Sequence, residues 1–436
     1  MKFYDRKEEL ALLAQNREDS AKNARFTAIY GRRRVGKTAL ILESLQGSRG
    51  LYLFVSRKTE PLLCGEFQRE AETALGLRIY GAVTRFRDLF EQLLLYSEKE
   101  PFTLVLDEFQ EFERVNPSVF SDMQDIWDRR KDRAKLHLIV CGSVYSLMTK
   151  LFEDQKEPLF GRPTSKLTLQ AFRPSVIKEI LSDYNPDWQP DDLLCFYTLS
   201  GGSPQYIRWL LEAGATDAGR MLRAVASPGS PFLSEGKDLL VAEFGREYGT
   251  YFSILQLIAA GKTSQSEIDS VIGKNSGAYL QTLERVHSLI ARNRPMFSNV
   301  GSRNNKWKIR DQWLRFWFRF ICPRQALIET NRFDLLLEWI ERDYEQFSGQ
   351  ALEQYFREKL GEEGRLTRIG GYWDRKGENE IDIVALSELD RTALMAEVKR
   401  NPLRIDLEKL KAKAEKLGPH LAGYETEFKG FSLADM

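Results

Sequence analysis

At 436 residues the chain is long enough for roughly two to four domains, and 42% hydrophobic with 29% charged residues is the make-up of an ordinary globular protein. A net charge of +1 excludes a uniformly basic coat, so any nucleic-acid contact must come from a local patch. Cys64, Cys141, Cys195 and Cys322 are widely spaced with no C-x-x-C, which argues against a zinc site or a disulfide framework; with no apolar leader and no run near the ~18 apolar residues of a membrane span, a cytoplasmic protein is expected.

Residues 1–160 alternate strand-like runs (25 to 30, 51 to 55, 102 to 106, 136 to 141) with helical periodicity (37 to 46, 84 to 98, 118 to 132). The expectation is an α/β unit, a parallel sheet covered by helices. Directly after the first strand comes GRRRVGKT, a complete G-x-x-x-x-G-K-[ST] phosphate loop in its strand–loop–helix setting. Gly31 and Gly36 let the backbone turn tightly. The amides of Arg33, Arg34, Val35, Gly36, Lys37 and Thr38, with Ala39 beside them, then form an anion nest at the start of a helix. Lys37 reaches the β- and γ-phosphates and the Thr38 hydroxyl holds magnesium, so ATP and Mg2+ are the expected ligands. The third strand ends in Asp107, placed to bind magnesium, and Glu108, placed to polarise the attacking water. The fourth ends in Gly142 and Ser143. Ser143 is a candidate sensor of the γ-phosphate; an N-cap role for a helix over 144 to 151 explains it equally well.

Residues 161–232 turn helical and read as a lid, with Pro204 starting the helix YIRWLLEAG. Arg162, in PLFGRP, and Arg208 either reach phosphates or form ordinary surface ion pairs. In 233–325, helical stretches at about 249 to 260, 265 to 272 and 276 to 287 precede RPMFSNVGSRNNKWKI, which reads as a two-stranded wing. That is the pattern of a winged helix-turn-helix. Arg285, Arg292, Arg294, Arg303, Lys306, Lys308, Arg310, Arg315 and Arg319 face one acid, Asp311, over this stretch. The bias of segment 285–320 suits DNA phosphates, and equally an acidic protein surface or solubility. Trp313, Phe316, Trp317 and Phe320 fall at i, i+3, i+4 and i+7, a core-facing helix stripe rather than a base-stacking platform.

Residues 326–436 carry a second candidate chemistry. A helix from about 339 to 360 contains Glu353, and the strands EIDIVAL and TALMAEVKR follow. Alternation places Asp382 on one face of the first strand and Glu397 with Lys399 on one face of the second. If the strands are neighbours, the three converge. Two carboxylates sharing a magnesium ion beside a lysine suit phosphodiester cleavage, and Glu353 would complete the ligand set. The rival reading is a solvated strand face. The D-x(14)-E-x-K spacing resembles the PD-(D/E)XK nuclease pattern, here without the proline.

Together FYDRKEEL, GRRRVGKT, LVLDEFQ, CGS, PLFGR, LSGGSPQYI, KWKIRDQWLRFWFRFI and the EIDIVAL/EVKR pair resemble the archaeal-type ATPases of the AAA+/STAND superfamily. In that family a winged helix and a C-terminal PD-(D/E)XK-like, restriction-endonuclease-like domain follow the ATPase module. The resemblance implies an AAA+ fold with Phe3 and Arg6 near the adenine, and Arg162 in the γ-phosphate surroundings. It implies a homo-oligomer, with Arg129 and Arg130 as further arginine-finger candidates. Only about forty residues follow Glu397, little room for a DNA-binding lobe around that site. Two functions follow as expectations: an ATPase coupled to a DNA-binding and nuclease-like second half, or a STAND-type signalling switch whose C-terminal domain is an inactive interaction module. A transcription regulator, resting on the winged helix alone, is a third.

Overall fold

The computed structural model describes residues 1–244, 248–299, 304–374 and 378–436. It divides into two compact units, Asp5–Gln170 and a second made of Met1–Tyr4 with Ala171–Met436.

The first unit is a five-stranded parallel sheet built from β1 (Arg25–Tyr30), β2 (Gly50–Phe54), β3 (Phe102–Asp107), β4 (Leu136–Cys141) and β5 (Ser165–Thr168), in the order β2-β3-β4-β1-β5. Phe26, Ala28 and Tyr30 of β1 pack into one apolar cluster, while Ile29 packs with Ile139 and Val105 into another. Successive side chains thus feed opposite faces, both covered, as a parallel sheet requires. The strand β5 was not foreseen. Its four residues, SKLT, alternate between half-buried and exposed, too short and polar for a hydrophobic signal. It lies beyond residue 160, inside the range read as lid, yet pairs with β1 through Thr27↔Ser165.

A buried polar contact in this sheet makes the unit acid-sensitive. His137 of β4 is 1% exposed, its Nε2 is 2.8 Å from the Thr27 hydroxyl, and burial lowers its pKa to about 3. The unfolded chain would take up that proton near pH 6.5, the folded chain only near 3. Stability is therefore full above about pH 6.5 and falls by about 1.4 kcal/mol per pH unit as pH drops toward 3. Urea unfolding between about pH 7 and 4.5 should show that slope, flattened in His137→Gln.

In the second unit one apolar cluster runs from Phe172 to Met436, so segments 161–232, 233–325 and 326–436, read as separate domains, share a core beyond residue 170. At its centre lies the aromatic run. Trp313, Phe316, Trp317 and Phe320 are buried, and so are Leu314, Phe318 and Ile321, so burial extends well beyond one stripe, with Arg319 left half-buried. Each such side chain stabilises by about 1.5–3 kcal/mol. Gly236 makes room for Trp317, whose ring a Cβ there would strike.

Helices Tyr248–Ala259, Gln265–Ile272 and Gly277–Arg285 precede an antiparallel ribbon, β6 (Ile290–Asn293) with β7 (Lys306–Ile309). Residues 300–303 between them, Arg303 of the basic segment included, lie outside the described residues. A four-stranded sheet follows, formed by β8 (Arg368–Trp373), β9 (Glu380–Ser387), β10 (Thr392–Val398) and β11 (Glu425–Phe431) in the order β11-β10-β9-β8. The first three strands form an antiparallel meander; β11 returns parallel to β10 after the helix Leu407–Ala414. The long helix Phe333–Glu362 packs across β8, β9 and β10.

The ribbon segment leans on this sheet. The Met296 amide donates to the Gly371 carbonyl (2.8 Å), the Trp373 indole donates to Asn304 Oδ1 (3.1 Å), and the Lys306 ammonium is 3.1 Å from Glu380.

Candidate functional sites

The phosphate loop links β1 to the helix Lys37–Leu45. Gly36 caps that helix at φ 91°, a left-handed conformation that favours glycine. A Cβ on Gly31 would sit 2.5 Å from the Leu169 carbonyl oxygen, so only glycine fits there. Lys37 is 8% exposed, and its ammonium donates to the carbonyls of Gly31 and Arg32, each at 2.8 Å. Burial lowers its pKa, against the pull of nearby Cys141, Glu108 and Asp107.

Asp107 and Glu108 stand at the C-terminal end of β3. The Thr38 hydroxyl donates to Asp107 Oδ2 at 3.2 Å, and Tyr52 donates to the same oxygen. The other oxygen accepts the Glu108 amide (2.8 Å) and the Cys141 thiol (2.7 Å). Four donors hold an acid that is only 5% exposed, which offsets the cost of burying it. The hydroxyl and carboxylate oxygens of Thr38 and Asp107 are the hard donors that Mg2+ takes, so this pair fits that ion. Ser143 donates to Glu108 Oε2 at 2.8 Å; the following helix begins at Tyr145 with Val144 as its cap, so the N-cap reading of Ser143 does not hold.

One other expectation needs correction, and the remaining candidates are placed below. Arg162 does not reach its own chain's phosphate loop. It lies just before β5, near the amino end of β1, and pairs with Asp128 at 3.0 Å, while the loop leaves the carboxyl end of that strand. About five residues of strand separate the two ends by roughly 17 Å. Arg6, which the resemblance sets near the adenine, braces the loop by donating to the carbonyls of Gln170 (2.6 Å) and Val35 (3.4 Å). Phe3 and Arg208 belong to the other unit and are exposed. Arg129 pairs with Asp125 at 2.9 Å and Arg130 with Glu91 at 2.9 Å. Tyr52 and Cys141 were missed as site residues. The signal was their placement on strands flanking β3, which only the strand order reveals.

In the second unit, β9 and β10 are antiparallel neighbours with Ala396 opposite Ile383, so Glu397 comes opposite Asp382. Lys399 Nζ lies between them, 3.1 Å from Asp382 Oδ2 and 3.4 Å from Glu397 Oε1. Burial opposes the ammonium's charge, but the two carboxylates outweigh it and raise the Lys399 pKa. The Val398 amide also donates to Asp382 Oδ2 (2.8 Å), and the Asp406 amide donates to Glu397 Oε2 (3.1 Å). Opposite Gly371, β9 carries one extra residue, a bulge that turns Asp382. Arg357 clamps the Asp382 carbonyl across that glycine.

Glu353 does not join them as a third ligand. It lies 3.5 Å from Arg357, and burial followed by the charge of Asp382 pushes its carboxyl pKa up. Among the described residues no three His, Cys, Asp or Glu side chains gather closely enough to hold a metal ion. The Lys399 ammonium occupies the cation position between two carboxylates, so the donor chemistry fits a divalent ion only with fewer protein ligands than expected.

The basic segment is largely spent inside the fold. Arg292 pairs with Glu284 (3.3 Å), Lys306 with Glu380, and Arg319 with Asp343 (3.5 Å). Lys308 donates to Gln354 (2.6 Å), Arg310 to the Ile290 carbonyl (3.0 Å) and buried Arg315 to that of Phe347 (3.1 Å). Arg285 remains exposed, in line with Gln281 and Ala278 on the outer face of the helix Gly277–Arg285.

Comparison with known proteins places an ATPase domain in the first part of the chain. Residues 3–210 match the family described as an ATPase domain predominantly from Archaea, and residues 317–413 match archaeal and bacterial proteins of unknown function. The uncharacterized protein MJECL04 of Methanocaldococcus jannaschii is 30% identical over 411 residues, covering 92% of this chain and 88% of its own. The Walker-type ATPase PABY2304 of Pyrococcus abyssi shares the fold, with a TM-score of 0.55 at 22% identity over 73% of this chain and 96% of that one. No helix among the described residues is long and apolar enough to cross a membrane. With its phosphate loop, its acid pair at the end of β3 and its likeness to MJECL04 over nearly the whole length, the chain belongs to the family of that archaeal protein and is a P-loop ATPase.

Proposed function

We propose a magnesium-dependent ATPase whose nucleotide state governs a second unit that handles DNA, in mobile-element traffic or defence against foreign DNA. The contact of Thr38 with Asp107 beside Glu108, at the carboxyl end of a parallel sheet, supports the first half. The loop amides and Lys37 bind and orient the phosphates, and Glu108 accepts the proton of the attacking water. Magnesium, when bound by Thr38 and Asp107, supplies charge neutralisation on the phosphate oxygens. In a homo-oligomer, Arg162, Arg129 or Arg130 would serve a neighbouring copy's nucleotide.

The second half rests on Asp382 facing Glu397 with Lys399 between them. Its helix–meander–helix–strand order supports the PD-(D/E)XK reading, and the three helices ahead of the ribbon β6–β7 support the winged-helix reading. Because the ribbon is docked, Arg285, Gln281 and Ala278 form the face offered to a DNA groove. Purified protein with Mg2+ or Mn2+ should nick plasmid DNA, and Lys399→Ala should lose at least ~100-fold of that activity while still binding DNA with a steep salt dependence. Intact plasmid with wild-type protein would sink the nuclease reading. One observation favours the STAND-type switch as an alternative: Glu353 stays out of the acid pair, as suits a C-terminal module that binds without cutting.

A further inference from the structure

Gln110 lies two residues past Glu108, and nothing in the phosphate-binding scheme uses it. It is 1% exposed, and its Nε2 donates to Glu108 Oε2, the oxygen that also accepts the Ser143 hydroxyl. Its own Oε1 is buried with no hydrogen-bond partner. The amide cannot be turned round to satisfy that oxygen, because the flip would set oxygen against carboxylate. A buried amide kept half-satisfied has a stability cost, and here the satisfied half is spent on the reacting acid.

Two further features exist to keep it there. Gly142, at the end of β4, leaves the space Gln110 fills, since a Cβ there would run into Gln110 Oε1 and the Met148 sulfur. Glu108 sits in the left-handed region at φ 53°, a strained setting for a non-glycine residue and one that other contacts must hold. With two donors on Oε2, the other carboxylate oxygen keeps its lone pairs for the proton of an attacking water.

We propose that Gln110 is a positioning residue for ATP hydrolysis, fixing the Glu108 carboxylate together with Ser143 through the same oxygen. The proposal rests on Glu108 acting as the base. Gln110 is buried and spends its donor on Glu108 rather than on the phosphate loop, so its loss should lower turnover without weakening ATP binding. In Gln110→Leu, kcat should fall about tenfold or more, with the Kd for a fluorescent ATP analogue within about twofold of wild type. In the isosteric Gln110→Glu, a second carboxylate beside Glu108 disfavours its ionised form, so the acid limb of kcat against pH should move up by about one unit or more. Gly142→Ala should lose turnover as Gln110→Ala does, and the double variant should lose little beyond either single one, because both break the same contact.

Wild-type turnover with an unmoved pH profile in both Gln110 variants would overturn the proposal. So would ATP affinity falling in step with kcat, which would make Gln110 a support of the loop. Glu108→Gln separates the two levels. If it turns over normally, the role of Glu108 fails; if it is inactive while the Gln110 variants are normal, only the positioning role fails.

Discussion

Replacing Lys37 by alanine is expected to remove at least ~100-fold of ATP affinity, close to abolishing binding at cellular concentrations, while the protein stays folded. The ammonium is buried at the mouth of the loop, held on two loop carbonyls, and burial already works against its charge. Such a cation gains most from an anion, because little water remains to be displaced from it. Each charge-assisted hydrogen bond to a phosphate is worth about 1.5–3 kcal/mol, so losing contacts to two phosphates takes affinity down by about two decades or more. The fold should survive. The carbonyls left behind belong to a loop next to exposed Thr38, where water can reach them. Calorimetric titration with Mg·ATP, paired with a thermal melt, reads both quantities. Affinity retained within about tenfold would contradict the assigned role.

Glu108→Gln should do the opposite, binding ATP as the wild type does but turning over roughly 10²–10⁴-fold more slowly. The amide has the shape of the carboxylate and can still accept from Ser143 Oγ, so the pocket keeps its form. What it cannot do is take a proton from water. Asp107 cannot stand in for it, because both its oxygens are already occupied by Thr38, Tyr52, Cys141 and the Glu108 amide. Phosphate release under saturating Mg·ATP, with binding measured separately, gives the split; hydrolysis at wild-type rates would remove Glu108 from the mechanism.

The phosphate loop was legible because everything it needs is local: eight consecutive residues supply glycines, lysine and hydroxyl between a strand and a helix. Asp107 and Glu108 were legible for the same reason, as the polar end of a buried strand. The apposition of Asp382, Glu397 and Lys399 was legible one step further away, since two consecutive strands joined by a short turn pair antiparallel and alternation then dictates which side chains meet.

What the sequence concealed depended on elements far apart in the chain. Charge counting over 285–320 registers Asp311 but misses the acids beyond the segment, Asp343 and Glu380, and the Gln354 side chain that accepts from Lys308. Glu353 has the right distance in sequence to complete an acid cluster, yet a neighbouring turn of its own helix offers Arg357. Arg162 was misplaced because β5 went unseen, and without that strand nothing shows that the residue precedes the amino end of the sheet. Gln110 carried no signal of its own in the sequence; only Gly142, just past β4, shows that space is kept for it.

The docked ribbon has a consequence for how the second unit can be handled. The outer side of β8 carries a row of backbone groups that no described strand pairs, and the Met296 amide and Asn304 side chain occupy part of it, at Gly371 and Trp373. An uncovered row of that kind is a template on which another chain can add itself. A fragment cut at the apparent domain boundary near residue 326 would lose both covering residues. The β8 edge is therefore partly covered by a segment that, in sequence, belongs to its neighbour.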